Sequence, residues 1–473
     1  MKKFYITTTL PYVNADPHIG FAAEIIRADI LARYKRLQGY EVFFNTGTDE
    51  HGLKIFKKAA EAGQSAQEYC DSYAPKFNEL KKGLNLSYNS FTRTTDAHHI
   101  SSAQEFWRRC QANGDIYKKY YSVKYCVGCE LEKTESELVN GRCPLHPHNE
   151  LELISEENYF FRWSKYQDRL LALYKENPHF VVPAHRLTEI KKFVERGLED
   201  FSISRLREKM PWGVPVPGDE AHVMYVWFDA LVNYISCLGW PESDSQMKTF
   251  WPGIQVAGKD NLRQQSAMWP AMLMSAGLPT SSQVLIFGFI TAGGVKMSKS
   301  LGNVISPFEL IQKYGVDATR YFLTSELKPF EDSDFTFEKF ETRYNADLAN
   351  GLGNLVARVS NLLEKNSLEI NIATNSDQNL FLKFDEKIST FQFNEALAVL
   401  WEKIKASDEF LSEKKPWKMT DIDEIRPVLQ AVAQDILNIA YLLQPFMPDT
   451  ADKILTQFRA KQIKKGESLF QRI

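Results

Sequence analysis

Cysteine, long apolar runs and an excess of one charge are all scarce or missing in this chain of 473 residues. Its six cysteines are too few for a disulfide scaffold of this size. No apolar run approaches the ~20 residues that a membrane-spanning helix needs. Residues 1–9 turn polar too early for a secretory signal, so we expect a cytoplasmic protein that does not contact a membrane. Lys plus Arg (57) nearly balance Asp plus Glu (60), which argues against non-specific coating of nucleic acid but allows a local basic face.

The order of predicted elements indicates several domains. A strand–helix–strand pattern over residues 4–44 predicts two parallel strands joined by a right-handed crossover. A similar pattern returns between residues 223 and 290, where 283–290 reads as one buried strand, and from about residue 340 the pattern is helical. We therefore predict an α/β fold with a doubly wound, parallel (Rossmann-like) sheet in two halves (1–115 and 221–340), a metal-binding insertion (116–220) and an all-α bundle (341–473).

Two loops have the composition of phosphate-binding segments. Asp16–Gly20 lies between a predicted strand and a helix, where backbone N–H groups and the helix dipole favour an anion. In this loop His18 can donate a hydrogen bond, and Gly20 lets the backbone approach a ligand closely. Lys296–Ser300 follows a predicted buried strand, and its two lysines can meet charge that develops on a phosphate. A polar turn and a solvated basic loop are the alternatives, but a shared position at one sheet edge favours a phosphate site.

Three of the cysteines are clustered with a histidine. Cys126 and Cys129 are separated by two residues, and thirteen residues later Cys143 and His146 repeat that spacing. Three thiols and one imidazole predict a structural Zn²⁺ site, because four protein ligands leave no open position on the metal. His148 is a competing fourth ligand, and unliganded thiols are the alternative to a metal site. The scattered cysteines fit small buried residues; they are Cys70, Cys110 and Cys237.

The two phosphate loops and four further blocks carry a resemblance to a known family. Pro17–Gly20, followed far downstream by Lys296–Ser300, resembles the two signatures of class I aminoacyl-tRNA synthetases. The further blocks resemble the methionyl-tRNA synthetases and are Thr9–Asn14, Thr46–Gly52, Val226–Tyr234 and Gly258–Asp260. The resemblance extends over essentially the whole chain. It implies an enzyme that activates L-methionine with ATP and Mg²⁺, releases pyrophosphate and passes the methionyl group to tRNA(Met).

The resemblance also implies roles for individual residues. His18, Lys296 and Lys299 match the catalytic residues: His18 supports the nucleotide phosphates, and the lysines stabilise the departing pyrophosphate. The ATP-binding set adds Gly20, Met297, Ser298 and Ser300. Asp49 matches the carboxylate that binds the substrate ammonium, and the rest of the methionine-binding set is Leu10, Tyr12, Trp227, Ala230, Tyr234 and Asp260, with Trp269 close by. By sequence pattern alone, Trp227 and Tyr234 would read as ordinary core residues.

The chain departs from the family pattern at two places. Phe21 stands where the first signature usually ends in a second histidine, so one polar contact to the nucleotide is lost or replaced. We expect slower activation from this loss, which Phe21→His should reverse. Gln264 and Gln265 stand where the family commonly has Phe-His, which predicts a more polar wall in the amino-acid pocket.

The C-terminal helices carry the residues that the resemblance implies for anticodon binding. Asn354, Arg358 and Trp417 match the family's anticodon readers, and a splayed base can stack on an aromatic ring while guanidinium and amide groups bind its edge. Asn350 is a weaker candidate on the same helical stripe. Because little sequence follows the predicted bundle, we expect a monomer.

Two alternatives to a methionine-specific ligase stay open. A non-catalytic tRNA-binding paralogue would explain the departures at Phe21 and Gln264-Gln265, but it would not need the lysines of Lys296–Ser300. A class I synthetase for leucine, valine or cysteine is the other; the chain has no room for the large editing insertion of the first two, and Trp417 fits methionine better.

Overall fold

The computed structural model describes residues 1–129, 131–133, 135–297, 302–374 and 376–473, and its contacts divide the chain into two units. The first unit comprises Met1–Asp16, Glu41–Glu79 and Tyr88–Ile286, and the second comprises Pro17–Tyr40, Leu80–Ser87 and Phe287–Ile473. The strands are β1 (Lys3–Thr8), β2 (Glu41–Thr48), β3 (Ser90–Arg93), β4 (Ile116–Cys126), β5 (Leu131–Lys133), β6 (Glu152–Phe161), β7 (Val181–Val182), β8 (Phe201–Ser202), β9 (Ser204–Leu206), β10 (Pro215–Val216), β11 (Asp219–Met224), β12 (Ile254–Gly258), β13 (Gln283–Phe287), β14 (Ile290–Ala292), β15 (Val295–Lys296) and β16 (Ser333–Phe335).

The helices are α1 (Ile19–Leu37), α2 (Leu53–Glu61), α3 (Ala66–Gly83), α4 (Ala97–Ala112), α5 (Gln167–Glu176), α6 (Ala184–Glu195), α7 (Val226–Ala230), α8 (Asn233–Ser236), α9 (Asp244–Phe250), α10 (Trp269–Ser275), α11 (Pro307–Tyr314), α12 (Val316–Ser325), α13 (Phe337–Arg343), α14 (Asn354–Lys365), α15 (Gln378–Ser389), α16 (Phe393–Lys414), α17 (Ile422–Leu443) and α18 (Pro448–Phe458). π-Helical turns lie at Gln264–Met268 and Tyr344–Gly353. Among the described residues, no helix has both the length and the apolarity that crossing a membrane requires.

The first unit is built on a six-stranded sheet in the order β3-β2-β1-β12-β13-β7. β1 pairs in parallel with both β2 and β12, and its last four residues are buried. This burial suits a central strand, whose β-branched and aromatic residues pack on both faces of a parallel sheet. The strand order reverses between β1 and β12, which confirms the predicted α/β fold with its doubly wound parallel sheet.

The sequence between the two halves of this sheet forms an additional sheet in the order β5-β4-β6-β8. β4 and β6 pair antiparallel along ten residues, from Ile116–Phe161 to Tyr125–Glu152. β4 ends at Cys126, so the long hairpin leads directly into the cysteine cluster. The insertion therefore has a rigid antiparallel base from which the predicted metal ligands project.

The second unit contains α1, the strands β14–β16 and the helices α11–α18. From Phe337 onward all the described regular elements are helical, as predicted. In the helical stretch after residue 346 the buried apolar side consists of Leu348, Leu352, Leu355, Val359 and Leu362. α1 ends at Leu37, close to Gly39, which has a positive φ of 81°.

The expectation of one strand over residues 283–290 is wrong. β13 ends at Phe287, and β14 starts at Ile290 in a different sheet of order β15-β14-β16. The break lies at Gly288, where a Cβ atom would fall 2.1 Å from the carbonyl oxygen of Glu331. Gly288 N–H also donates to the carbonyl of Pro329. Only a glycine permits this backbone approach, and it redirects the chain out of the first sheet.

Candidate functional site

The parallel pairing of β1 with β2 brings together the chain segments that follow these two strands. The Val13 N–H donates to the carbonyl of Asp49 over 3.3 Å, and the Asp49 N–H donates to Pro11 over 3.0 Å. These bonds fix Tyr12 beside Asp49, which is 2% exposed. Ligands of doubly wound sheets bind at such a point, outside the carboxyl ends of the strands. Leu10 lies partly buried in the same segment, and Asp260 lies in the turn after β12.

Glu50, the residue after Asp49, is held in a buried ion pair. Its carboxylate accepts two hydrogen bonds from the Arg93 guanidinium, at 2.7 and 2.9 Å. The hydroxyls of Thr48 and Thr95 donate to the same carboxylate at 2.6 and 2.5 Å. A charge that is fully buried is tolerated when it is paired and hydrogen-bonded in this way. The backbone at Asp49 is therefore held from its C-terminal side as well as by β2.

His51 connects this loop with α7, which carries Trp227 and Ala230. The Nδ1 atom of His51 lies 3.0 Å from Oδ2 of Asp229, and both side chains are buried. Because Asp229 lies between Trp227 and Ala230 in α7, the contact places the helix of these predicted pocket residues next to the Asp49 loop. Sequence reasoning assigned no role to His51 or Asp229. The sequence did contain one indication, because Asp229 is an acidic residue in an otherwise apolar run. Such a residue needs a partner when it is buried.

Tyr234 belongs to an aromatic group in the same unit. Its ring centroid lies 5.9 Å from that of Trp269, and its hydroxyl accepts a hydrogen bond from Gln265 Nε2 at 2.8 Å. Gln264 and Gln265 are 2% and 1% exposed in the π-helical turn. Buried polar atoms without a hydrogen-bond partner in the described part of the chain include Trp227 Nε1, Trp269 Nε1, Gln264 Oε1, Gln265 Oε1 and Ser266 Oγ. Buried polar atoms are normally hydrogen-bonded, so these five are available to a ligand or to water.

The first phosphate loop contacts the second in the C-terminal unit. A Cβ atom at Gly20 would lie 3.7 Å from Cε of Met297, and the Ile19 N–H donates to the carbonyl of Ile305 over 3.1 Å. The segments on both sides of Ser298–Leu301 therefore meet the N-terminus of α1. Ser298, Lys299 and Ser300 lie outside the described residues, and Lys296 is described through its backbone, which pairs with Thr291.

His18 is the N-cap residue of α1. Its Nδ1 accepts a hydrogen bond from the Gly20 N–H at 3.0 Å, so a neutral ring carries its proton on Nε2. Burial lowers the pKa of His18 below its ordinary value, which keeps the ring neutral near pH 7. The Nε2–H of such a ring is a donor suited to a phosphate oxygen. Phe21, where the resemblance expected a histidine, is 9% exposed.

The hairpin of β14 and β15, which leads to Met297, is held by the carboxylate of Asp334. Oδ1 of Asp334 accepts from the Gly294 N–H at 2.6 Å and from the Thr291 hydroxyl at 2.7 Å. Burial tends to raise the pKa of Asp334, but the Gly294 and Thr291 hydrogen bonds outweigh it and leave that pKa lowered. Gly293 and Gly294 take the positive φ values, 63° and 75°, that this tight turn requires.

The predicted metal ligands converge in the first unit. One ligand atom from each of Cys126, Cys129, Cys143 and His146 lies within 4.8 Å of every other. The Cys126 Sγ–His146 Nδ1 and Cys129 Sγ–Cys143 Sγ distances are both 3.7 Å. Ligands at ~2.3 Å from a tetrahedral metal are ~3.7 Å apart, so the donor set and its spacing fit a metal ion. His146, and not His148, belongs to this group of the described residues.

Two of the predicted anticodon residues, Arg358 and Trp417, contact each other in the second unit. The guanidinium carbon of Arg358 lies 5.2 Å from the ring centroid of Trp417, and Arg358 Nη1 donates to Asp408 at 2.5 Å. Trp417 is 42% exposed, and Asn354 is exposed on the same helix as Arg358. The turn that presents Trp417 starts at Lys415, which has a left-handed φ of 52°. An exposed indole beside a guanidinium is a surface on which a nucleobase can stack.

Comparison with known proteins places these features in a family. A family model described as tRNA synthetases class I (M) matches residues 4–152 and 134–360. A methionine–tRNA ligase of Thermotoga maritima is 40% identical over 99% of this chain and 77% of its own length, and one of Thermosynechococcus vestitus is 43% identical over 96% and 89%. A solved Mycobacterium tuberculosis methionyl-tRNA synthetase in complex with methionyl-adenylate superposes with a TM-score of 0.91, at 38% identity, over 97% of this chain and 94% of that one.

The doubly wound sheet and the meeting of the two signature segments at α1 are those of a class I aminoacyl-tRNA synthetase. Within that class, the chain belongs to the methionyl-tRNA synthetase family.

Proposed function

We propose that this chain is a methionine–tRNA ligase: it activates L-methionine with ATP to methionyl-adenylate, releases pyrophosphate, and transfers the methionyl group to tRNA(Met). The observation that carries the proposal is the likeness over 97% of the chain to a synthetase solved with methionyl-adenylate. The reaction needs no covalent enzyme intermediate. Positioning of the substrates and electrostatic stabilisation of the transition state supply the catalysis.

Methionine binds among the residues that follow β1 and β2 and those of α7 and α8. Asp49 pairs with the substrate ammonium, an interaction favoured by its burial and by its fixed backbone. The thioether side chain packs against aromatic rings, where sulfur–aromatic contacts contribute about 1 kcal/mol. The proposed contact residues are Leu10, Tyr12, Trp227, Ala230, Tyr234 and Asp260.

The triphosphate binds at the N-terminus of α1. The Nε2–H of His18 donates to a phosphate oxygen, and the helix N-terminus adds its positive partial charge. Lys296 and Lys299 neutralise charge as the methionine carboxylate attacks the α-phosphorus and pyrophosphate leaves. Met297, Ser298, Ser300 and Gly20 complete the ATP site. Mg²⁺ bound to ATP supplies further charge neutralisation on the phosphate oxygens.

The metal at the cysteine cluster is Zn²⁺, and its role is structural. Three thiolates and one imidazole are the ligands that zinc prefers, and the four together fill a tetrahedral shell. Cys126, Cys129, Cys143 and His146 hold the ion and thereby order the loops beyond the β4–β6 hairpin.

Asn354, Arg358 and Trp417 bind the tRNA anticodon by stacking on the indole and hydrogen bonding to base edges. In this proposal residues 1–115 and 221–340 are the two halves of the catalytic domain, 116–220 is the zinc insertion, and 341–473 binds the anticodon. The enzyme acts as a monomer in the cytoplasm.

The test is ATP–pyrophosphate exchange by the purified chain, run separately with methionine, leucine, valine and cysteine, followed by charging of tRNA(Met). Exchange that depends on methionine alone, with charging, is the expected result. Exchange with another amino acid would identify a different class I synthetase. Binding of tRNA(Met) without any exchange would identify a non-catalytic paralogue, as the departure at Phe21 allows.

A further inference from the structure

Asp229 joins three segments of the first unit through its two carboxylate oxygens. Oδ2 lies 3.0 Å from Nδ1 of His51, which follows β2. Oδ1 lies 3.5 Å from Nε2 of His99, in the first turn of α4, a proximity that leaves both atoms without a hydrogen-bond partner among the described residues. All three side chains are buried, and the relative exposure of Asp229 is 0%. Asp229 lies in α7 between Trp227 and Ala230, so its contacts also fix the position of these two predicted pocket residues.

The carboxylate is charged. Burial tends to raise the pKa of Asp229, but the contacts with His51 and then with His99 outweigh it, so that pKa is lowered from its usual range. A buried carboxylate keeps its charge when a donor is bonded to it, and His51 supplies such a donor at Oδ2. His99 is fixed in turn, because its Nδ1 lies 3.0 Å from the hydroxyl of Ser236 in α8. His51 packs with its edge against Trp212, at 5.5 Å between ring centroids.

The loop that carries Asp49 is thereby held by an ion pair at Glu50 and by a separate hydrogen bond at His51. Glu50 is paired with Arg93, which fixes the loop to β3. His51 is paired with Asp229, which fixes the same loop to α7. The Glu50–Arg93 pair includes no residue of α7, the helix that carries Trp227 and Ala230. Loss of the Asp229 charge should therefore release α7 from the loop and leave the anchor at Glu50 in place.

We propose that Asp229 is a positioning residue for the amino-acid substrate, which holds α7, and with it Trp227 and Ala230, in register with the loop of Asp49. The proposal rests on the proposed function, because it takes methionine as the occupant of the pocket. Asp229 itself does not touch the substrate. It acts through His51 and His99, and it sets the separation between the group that binds the ammonium and the rings that enclose the side chain. A small displacement of such groups is costly in affinity and rate.

The test compares Asp229→Asn with a matched control in the same unit, Asp115→Asn. Asp115 is also 0% exposed and bonds to Lys165 at 2.6 Å and Ser275 at 2.8 Å, but it contacts no predicted pocket residue in those bonds. Both changes remove one buried charge and keep the shape of the side chain. In ATP–pyrophosphate exchange we expect the KM for methionine to rise about tenfold in Asp229→Asn and less than about twofold in Asp115→Asn. The KM for ATP should stay the same in both, and both should lower the thermal midpoint.

A second pair of variants decides the question if Asp229→Asn does not fold. His51→Asn keeps an N–H donor near the place of Nδ1, whereas His51→Leu removes it. We expect His51→Leu to raise the KM for methionine as Asp229→Asn does, His51→Asn to recover most of the affinity, and the double variant Asp229→Asn/His51→Leu to be no worse than either single one.

A KM for methionine that is unchanged in Asp229→Asn and His51→Leu, or equally raised in Asp115→Asn, would overturn the proposal. The wild-type chain separates this failure from failure of the proposed function. Methionine-dependent exchange by the wild type together with unaffected variants refutes the role of Asp229 alone. Absence of exchange by the wild type refutes the proposed function, and the role of Asp229 with it.

Discussion

At the N-terminus of α1, the absence of a side chain at residue 20 determines where the His18 ring lies. A Cβ atom at Gly20 would lie 2.7 Å from Cε1 and 2.9 Å from Nδ1 of His18, closer than atoms in van der Waals contact. The imidazole therefore accepts the Gly20 N–H only because residue 20 has no side chain. Glycine is otherwise a poor helix former, about 1 kcal/mol worse than alanine. Glycine at position 20 is therefore explained by the space that the His18 ring needs, and not by helix stability.

Gly20→Ala should separate stability from activity. The alanine favours the helix but displaces the His18 ring, so we expect a thermal midpoint within a few degrees of the wild type and a loss of about 3 kcal/mol in transition-state stabilisation, or roughly a hundredfold in exchange rate. Exchange kinetics and thermal unfolding measured on the same preparation check both parts. Gly466→Ala is the matched control, since Gly466 has no positive φ and the atoms nearest to its Cβ position are the end of the Gln457 side chain, at 3.3–3.7 Å. An exchange rate that stays at the wild-type level would contradict this account.

His18 should also make stability depend on pH. Its pKa is lowered in the folded protein by burial, whereas the unfolded chain titrates near 6.5. Between these values the unfolded state binds more protons than the folded state, so the free energy of unfolding falls as pH drops below about 6.5. Urea unfolding at pH 7.5 and 5.5 measures the change. His18→Asn, which keeps a capping side chain but does not titrate, should show a smaller decrease; an equal decrease in both proteins would rule out His18 as a source.

The signature residues were recognisable in the sequence because each motif is local. His18, Gly20 and the cysteine spacing could be assigned a chemistry from neighbours within a few positions. The pairing of Asp229 with His51 and His99 could not, since periodicity places each residue on an element but does not say which distant elements meet. An ionisable residue in an apolar run predicts that a partner exists, without naming it.

At the scale of elements, the β4–β6 hairpin leads into the cysteine cluster. We expect a metal bound by this cluster to order the loops at that end of the hairpin. Cys126→Ser removes one of four ligands, and we expect loss of the bound zinc and a lower thermal midpoint, because binding free energy of a structural metal is folding free energy. Metal content by atomic emission and thermal unfolding are the measurements. Cys237→Ser, outside the cluster, should keep its full zinc content. Full zinc content in Cys126→Ser would mean that the metal is held elsewhere.

The turn after α16 should govern tRNA affinity separately from amino-acid activation. Trp417→Ala removes the exposed ring on which a base can stack, worth ~1–3 kcal/mol, so the KM for tRNA(Met) should rise roughly 10- to 100-fold. Exchange of pyrophosphate, which needs no tRNA, should be unchanged. Leu382→Ala removes another exposed apolar side chain of the same unit and should alter neither quantity. Equal effects of the two substitutions on charging would argue against stacking.

Elements whose residues repeat with a clear period were predicted well, and the error occurred where a glycine changed the path of the chain. The buried leucines and valines of the helix after residue 346 follow helical spacing, so their burial was predictable. Residues 284–290 contain no polar side chain, and such a run does not say where a strand leaves its sheet. The close approach of Glu331 to Gly288 is a long-range contact that the local sequence does not contain.

At the scale of the whole molecule, a buried arginine binds together distant parts of the second unit. Arg320 in α12 is 0% exposed and donates to Asp29 of α1 at 2.8 Å. It also donates to the carbonyls of Leu84, Pro445 and Phe446 at 2.8–2.9 Å. One guanidinium thus satisfies backbone groups from the turn before α18 and from the chain beyond α3, and it neutralises the carboxylate of α1.

Arg320→Met should destabilise the second unit strongly. Three carbonyls lose their donor and Asp29 loses one of its buried cations, so we expect the free energy of unfolding to fall by about 3–5 kcal/mol. Urea unfolding followed by circular dichroism measures it. The double variant Asp29→Asn/Arg320→Met should recover part of the loss, because it leaves no buried charge uncompensated. A decrease below about 1 kcal/mol would show that the pair is unimportant for stability.

The membership of α1 in the second unit has a consequence for synthesis on the ribosome. This helix is among the first forty residues to be made, yet its Arg27 donates to Leu327, its Asp29 pairs with Arg320, and its Tyr34 donates to Asp385. Those partners are translated hundreds of residues later. The emerging polypeptide must therefore carry an incompletely packed N-terminal helix during most of its elongation, a period in which its apolar surface is open to chaperones or to aggregation.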